Sequence, residues 1–473
     1  MNTVTPAPVD VVFPCLNERG ALPWVLGRVP AGWRAIVVDN GSTDGSGELA
    51  AQLGATVVVE PRRGFGAAVH CGLQAATAPF VAICDADGSL DPAELPGLLA
   101  LLTHDGADLA LGSRRPDRGA WPLHARVANR ALAALLRAGS GVGLSDLGPM
   151  RIARTDALRG LRLADRRSGY PLEMVLRAAE AGWHVVEQPV RYAPRVGRSK
   201  VTGTVRGTAT AVYDMATLLA DSRSRARSRA RRRGHDAETR RSDDLTIAVV
   251  AKECLPGRVK TRLAPAFTPQ EAADLASLSL RATLETVRSL PVRSRILYFD
   301  GSPAAATIPG FSHVPQPDGS LDERLAALCD AVDGPLLILG MDTPQFTRAD
   351  LAPLLADWGC GVDGGAATGV APADGAGVEP ADAWFGAAED GGFWALALAE
   401  PDGRLIRGVP MSRPDTGVRQ LGRLRRAGLT VRELPTLRDV DTPEDAAAVA
   451  AQLPGTEFSA VVTRVLAATG AAR

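Results

Sequence analysis

Short apolar runs that stop abruptly at polar residues recur along the first 220 positions of the chain, with amphipathic stretches between them. Val9 to Pro14 (VDVVFP) runs into Cys15-Leu16-Asn17-Glu18, and Arg34 to Ser42 ends in Asp39-Asn40-Gly41-Ser42-Thr43-Asp44. Thr56 to Glu60 is a third run, ahead of the turn Arg62-Arg63-Gly64-Phe65-Gly66. A fourth begins at Val81 and ends in Asp85-Ala86-Asp87-Gly88. Runs of this length, bounded by turn residues, predict buried strands. Asp44 opens a helical stretch through Leu53, with acidic and small polar residues where an N-cap belongs. Strands alternating with helices at this spacing predict a doubly wound parallel sheet.

The periodic pattern stops after Leu219. Residues 221–244 lack an apolar face and hold seven arginines between Arg223 and Arg233, the composition of a linker. At Thr246 to Ala251 (TIAVVA) the strand pattern begins again and ends in KECLPGRVKTRLAP, Lys252 to Pro265. A long helical stretch, Pro269 to Leu290, follows, then strands at Arg295 to Asp300 and Leu336 to Leu339. The last of these runs into Gly340-Met341-Asp342-Thr343-Pro344. FGAAEDGGFWALAL, Phe385 to Leu398, places Asp390 and two glycines before another strand. LRDVDTPED, Leu437 to Asp445, carries a Thr-Pro helix start with an acidic first turn. The division this predicts is an α/β domain over 1–220, a basic linker over 221–244 and a second α/β domain over 245–473. A chain of 473 residues also exceeds one ordinary core.

Composition narrows the picture in three ways. The 53 basic and 53 acidic residues balance, so bulk charge names no partner. No apolar run approaches the roughly 18 residues of a membrane span, and no signal peptide opens the chain, so a cytoplasmic protein is expected. The six cysteines (15, 71, 84, 254, 329 and 360) are scattered, with no CxxC or Cys/His cluster, and read as reduced core thiols. Only Lys200, Lys252 and Lys260 are lysine, in a chain otherwise supplied by arginine. Lysines that persist against such a bias are either chance survivals or places where a compact ammonium matters. The arginines of 221–244 are either a solvated spacer or an attachment to anionic membrane lipid, worth up to about 1 kcal/mol per basic residue. Nucleic acid is not expected as a partner, because no aromatic residues interleave with them.

Candidate chemistry lies at the strand ends, where open parallel sheets bind ligands. Asp85 and Asp87 are either an acidic turn or a pair able to share a hard divalent cation, the usual partner of a diphosphate. A GxGxxG loop after the first strand is absent, which counts against a dehydrogenase. The succession FPCLNE, VVDNGSTD and CDADGS resembles the family 2 glycosyltransferases of GT-A fold. Downstream, the Gly-Ser-Arg ending at Arg114, SDLGPMR (Ser145 to Arg151), SGYPLEM (Ser168 to Met174) and RYAPRVGRSKVTG (Arg191 to Gly203) resemble the branch of dolichyl- and polyprenyl-phosphate sugar transferases. The resemblance covers about 9–220.

That resemblance implies a nucleotide-sugar donor, with Asp39 at the base and Pro14 and Glu18 beside it. It places Asp85 near ribose and metal, and Asp87 on Mg2+ or Mn2+ at the diphosphate. Transfer also needs cations to hold an anionic acceptor, a role that suits Arg114, Arg195, Arg198 and Lys200. A base is needed only for a hydroxyl acceptor. Asp146 is either on the acceptor side or a base, and Glu173 is either catalytic or a first-turn acid favouring the helix dipole. One position departs: polyprenyl-phosphate mannosyltransferases commonly carry an amide two residues after the second aspartate, where this chain has Ser89. The metal's remaining ligand and the donor preference are therefore not carried over.

The second half resembles an uncharacterised bacterial GT-A-like family, labelled as arsenosugar-biosynthesis glycosyltransferases and related to nucleotidyltransferases. It implies that Lys252, Arg258, Lys260 and Arg262 face nucleotide phosphates, with Asp390 near them and Asp342 and Asp441 as metal ligands. The expected protein is thus two tandem GT-A domains on a basic linker. The first would be a metal-dependent inverting transferase using a polyprenyl phosphate or similar acceptor, the second a nucleotide- or nucleotide-sugar-binding transferase. The alternative is a first domain that glycosylates a soluble hydroxyl and a second that is a non-catalytic nucleotide-binding or scaffolding module.

Overall fold

The computed structural model describes residues 7–196 apart from 119, 121–125, 127, 128, 131, 135 and 138–141. It then describes 245–359 apart from 303, 304, 306 and 307, and finally 380–469. Arg198, Lys200 and the Arg-rich stretch 221–244 lie outside the described residues. The chain divides into two compact units, Met1–Arg231 and Arg232–Arg473.

In the first unit the strands are β1 (Val9–Cys15), β2 (Arg34–Asp39), β3 (Thr56–Val59), β4 (Phe80–Ile83), β5 (Leu109–Pro116), β6 (Arg151–Arg154) and β7 (Val185–Tyr192). They form one sheet in the order β3-β2-β1-β4-β6-β5-β7. Burial on both faces explains the continuous apolar runs. Val12, Ile36, Val38 and Ile83 pack under the helices Phe65–Ala75 and Tyr170–Glu180, while Val11, Phe13, Val37 and Ala82 face the opposite core. Both sides of a sheet covered by helices is the arrangement that parallel strands require.

The second unit has β8 (Thr246–Lys252), β9 (Ser294–Asp300), β10 (Ser312–Pro315), β11 (Leu336–Gly340), β12 (Ala383–Ala388), β13 (Phe393–Leu398) and β14 (Val431–Leu437). Their order, β10-β9-β8-β11-β13-β12-β14, repeats the first unit strand for strand. In each unit the sixth strand runs antiparallel to both neighbours. The sheets are therefore mixed, mostly parallel, rather than wholly parallel. In the second unit the cause is local: the Asp390-Gly391-Gly392 turn joins β12 directly to β13 as a hairpin, a connection open only to antiparallel strands.

Local chemistry fixes the helix starts. Thr268 and Glu271 form a reciprocal capping box ahead of Pro269–Arg288, and Thr442 and Asp445 do the same ahead of Pro443–Gln452. The helix Ser46–Gln52 starts one step later than the sequence suggests. Gly45, at φ 77°, is its N-cap, and Asp44 accepts the Ser46 N–H at 3.0 Å from just outside. Gly66, in the first turn of the helix Phe65–Ala75, donates its N–H to the Arg167 carbonyl at 2.9 Å. A Cβ there would lie 2.8 Å from that oxygen, so only glycine permits the approach.

Candidate functional site

Parallel pairing brings the carboxyl ends of β1, β2 and β4 to one edge. Cys15 pairs with Asp39, and the Cys84 N–H donates to the Val12 carbonyl at 3.1 Å, so the acidic loop starts beside the end of β1. The loops after β1 and β2 are laced together. Asn17 N–H donates to Ser42 Oγ at 3.0 Å, Glu18 N–H to Ser46 Oγ at 2.9 Å, and Thr43 N–H to Asn17 Oδ1 at 2.7 Å. Asp39 Oδ1 in turn accepts the Ser42 N–H at 2.8 Å. Pro14, Glu18 and Asp39 thus share one corner of the edge.

Asp85 and Asp87 occupy the middle of it. Burial, and then the charge of Asp87, push the Asp85 carboxyl up to about 7, against the lowering fields of Arg195 and Arg114. The same field includes Glu18, which raises it further. Asp87 is buried, accepts the Ser89 N–H on Oδ1 at 2.9 Å, and faces Arg195 Nη1 at 3.4 Å. The segment carrying Arg195 lies along this loop, because Ala193 N–H donates to the Ser89 carbonyl and Val196 N–H to the Asp87 carbonyl.

Arg114 and Asp146 form a buried fork. Arg114 Nη2 and Nε donate to Asp146 Oδ1 and Oδ2 at 2.6 and 2.8 Å, and the Arg114 N–H adds a third bond at 2.8 Å. The guanidinium lies over the Tyr192 ring at 5.5 Å. Glu187 holds the Asp146 loop by accepting the Ser145 and Asp146 N–H groups at 2.7 and 2.9 Å. The Asp146 carboxylate thus accepts three hydrogen bonds from one arginine and holds it in place. Glu173 is buried and accepts the Ala164 and Asp165 N–H groups at 2.9 and 2.7 Å. It holds the loop on which Gly66 rests.

In the second unit the corresponding edge gathers a different set. Lys260 Nζ sits between Asp342 Oδ1 at 2.8 Å and Asp441 Oδ1 at 2.9 Å, and Arg262 Nη1 reaches Asp441 Oδ2 at 3.3 Å. Burial alone would lower the Lys260 ammonium, but the two carboxylates outweigh it and hold it above its ordinary value. Lys252, at the end of β8, is exposed, though its charge is felt at Asp441. Arg258 is exposed, with its N–H on the Leu255 carbonyl at 3.0 Å. Asp390 is exposed and accepts the Gly392 N–H at 2.8 Å, closing its turn. Asp445 caps its helix.

Sequence reasoning overlooked Asp439. Burial, and then the charges of Asp390 and Asp342, push its carboxyl up to about 8, and its Oδ1 has no hydrogen-bond partner. The signal was present: Asp439-Val440-Asp441 repeats the spacing of Asp85-Ala86-Asp87.

Among the described residues no group of three or more His, Cys, Asp or Glu side chains is arranged to hold a metal alone. The first-unit edge nonetheless fits a hard divalent cation. Asp85 and Asp87 offer two carboxylates, and Ser89, 1 % exposed, keeps a hydroxyl with no partner. Mg2+ characteristically takes one or two carboxylates and completes its shell from substrate phosphates and water. Among the described residues no helix is long and apolar enough to cross a membrane.

Residues 10–159 match the family model described as glycosyl transferase family 2. An uncharacterized glycosyltransferase of Mycobacterium tuberculosis is 54% identical over 208 residues, covering 44% of this chain and 95% of that protein. The polyprenol monophosphomannose synthase of Mycolicibacterium smegmatis is 35% identical over 219 residues, 41% of this chain and 81% of that protein. The glucosyl-3-phosphoglycerate synthase of Mycobacterium tuberculosis, crystallised with Mn2+, UDP and glucosyl-3-phosphoglycerate, aligns at 22% identity with a TM-score of 0.37. That alignment covers 46% of this chain and 80% of that one.

Proposed function

Because this chain belongs to glycosyl transferase family 2 and is a glycosyltransferase, we propose that its first unit moves a sugar from a nucleotide-sugar, with inversion, to a polyprenyl phosphate or similar phosphate acceptor. The second unit binds a nucleotide or nucleotide-sugar, and the arginines of 221–244 bring the protein to anionic lipid. The observation that carries the first part is the edge where Asp85 and Asp87 meet Arg195 and Arg114.

On this reading Asp39, with Pro14 and Glu18, receives the base, and Asp85 and Asp87 hold Mg2+ or Mn2+ at the diphosphate. A bound divalent cation there supplies charge compensation for the departing nucleoside diphosphate. Arg114, fixed by Asp146, and Arg195, on the segment overlying Asp87, hold the acceptor's anionic oxygens, joined by Arg198 and Lys200. Asp146 and Glu173 are both engaged in holding other groups. A phosphate acceptor, already charged, needs neither as a base.

The test is a donor screen. The purified chain is incubated with UDP- and GDP-sugars, Mn2+ and bacterial lipid extract, and products are read by mass spectrometry. A glycosylated lipid phosphate is expected. Transfer to a soluble hydroxyl compound, with no lipid product from any donor, would reject the acceptor assignment.

A further inference from the structure

The three lysines of this chain stand among 53 basic residues, and Lys260 is the one placed between two carboxylates. Its side chain is only 8 % exposed. The acids it joins come from separate loops, after β11 and after β14, which the Val440 N–H ties together by donating to the Asp342 carbonyl at 3.0 Å. Two carboxylates brought to one point favour a cation between them, and the ammonium supplies one.

The match is incomplete. Asp439 adds a further carboxylate next to Val440, whose N–H is the one that reaches the Asp342 carbonyl. Asp439 Oδ1 has no partner. Neither has Oε1 of Gln345, a side chain 8 % exposed whose Nε2 donates to the Arg438 carbonyl at 2.7 Å, next along the chain from Asp439. Oxygen acceptors left over beside a carboxylate pair suit a hard divalent cation, which takes six or more oxygens, better than an ammonium with three donors. A lysine also suits a temporary post. Its point charge rides on a flexible stem, whereas an arginine fork would lock onto both acids.

We propose that Lys260 is an exchangeable counterion in the second unit. Its ammonium holds Asp342 and Asp441 together until a divalent cation arrives with a diphosphate-bearing ligand, and then transfers to the phosphate oxygens. The inference rests on the reading of this unit as a nucleotide site. It goes further in assigning the resting cation and the order of replacement. Binding of metal and of diphosphate is thereby coupled, since each relieves what the other displaces.

The test uses the full chain with Asp85→Asn and Asp87→Asn, so that only the second unit's acids remain to take Mn2+. Free Mn2+ is followed by electron paramagnetic resonance, with and without inorganic pyrophosphate. Lys260→Met is expected to tighten Mn2+ binding alone by at least about tenfold, because it removes the ammonium that stands between Asp342 and Asp441 and leaves Arg262 beside Asp441 alone. The same change is expected to abolish the gain in Mn2+ affinity that pyrophosphate brings. If the Met variant binds Mn2+ no better while pyrophosphate still promotes binding to the lysine protein, the exchange is overturned and the nucleotide reading stands. If neither protein binds Mn2+ or pyrophosphate, both fall together. A second measurement needs no variant. Amine acetylation, read by mass spectrometry at Lys252 and Lys260, should rise several-fold at Lys260 when Mn2+ is added and fall again with pyrophosphate. Labelling of Lys260 that ignores Mn2+ at saturation contradicts the exchange.

Discussion

At the scale of single residues, the Arg114–Asp146 fork separates positioning from chemistry. Its geometry is bidentate and buried, so a lysine at 114 keeps the charge and loses the fork. Hydrogen bonds to charged groups contribute about 1.5–3 kcal/mol each, so Arg114→Lys should lower kcat/KM for the acceptor by about ten- to a hundredfold. Asp146→Ala takes the carboxylate out of this buried pair, at a cost of about 3–5 kcal/mol in urea unfolding. Asp146→Asn should slow turnover without removing the acidic limb of the pH–rate profile; loss of that limb would make Asp146 a base after all. Asp87 differs in kind, since under the proposed function its oxygens would hold the diphosphate's cation. Asp87→Asn should lower kcat by about a hundredfold or more at saturating donor, with excess Mn2+ restoring little. Full activity of that variant, or activity indifferent to chelators, would remove the cation from the mechanism.

At the scale of elements, β1 and β2 are joined at both ends by unlike devices. Their carboxyl ends carry the corner proposed for the donor, while at the other end Asp10 pairs with Arg34 at 2.6 Å and accepts the Thr77 and Ala78 N–H groups. Burial alone would raise the Asp10 carboxyl, but Arg34 and those two amides outweigh it and hold it below 3.8. A carboxyl depressed in the folded state stabilises above its unfolded value and loses that contribution as pH falls through the folded one. The urea midpoint should therefore drop between pH 5 and 3 (about the range where carboxylates titrate) by more in the natural protein than in Asp10→Asn. Equal slopes would show the pair to be inert. The strands that carry these residues were legible because an apolar run ending in an acid is a local signal. β10 and β14 were not, since SHVP and VRELPTL are largely half-buried or exposed edge segments without such a run. Nor does an apolar run state its direction, so the reversed β6 and β13 emerge only from pairing. The Asp146 and Glu173 alternatives needed partners that lie 32 and 9 residues away, and spacing alone does not supply those.

At the scale of the whole molecule, one strand order is used twice, and each unit sets an internal cation on the acids at its sheet edge: Arg195 on Asp87, and Lys260 on Asp342 and Asp441. Each unit also has its own buried core. Val12, Ile36 and Tyr170 belong to one, Ile247, Leu339 and Trp394 to another. Units that own their cores can fold apart. Residues 1–220 and 245–473, expressed separately, should each unfold cooperatively in urea. Sugar transfer to the acceptor should remain with the first fragment at a rate within a few-fold of the full chain, since Asp85, Asp87, Arg114 and Arg195 all lie in it. Mn2+-dependent binding of pyrophosphate should remain with the second. If the first fragment folds yet transfers only when the second is added back, the division of labour drawn from the repeated fold must be abandoned.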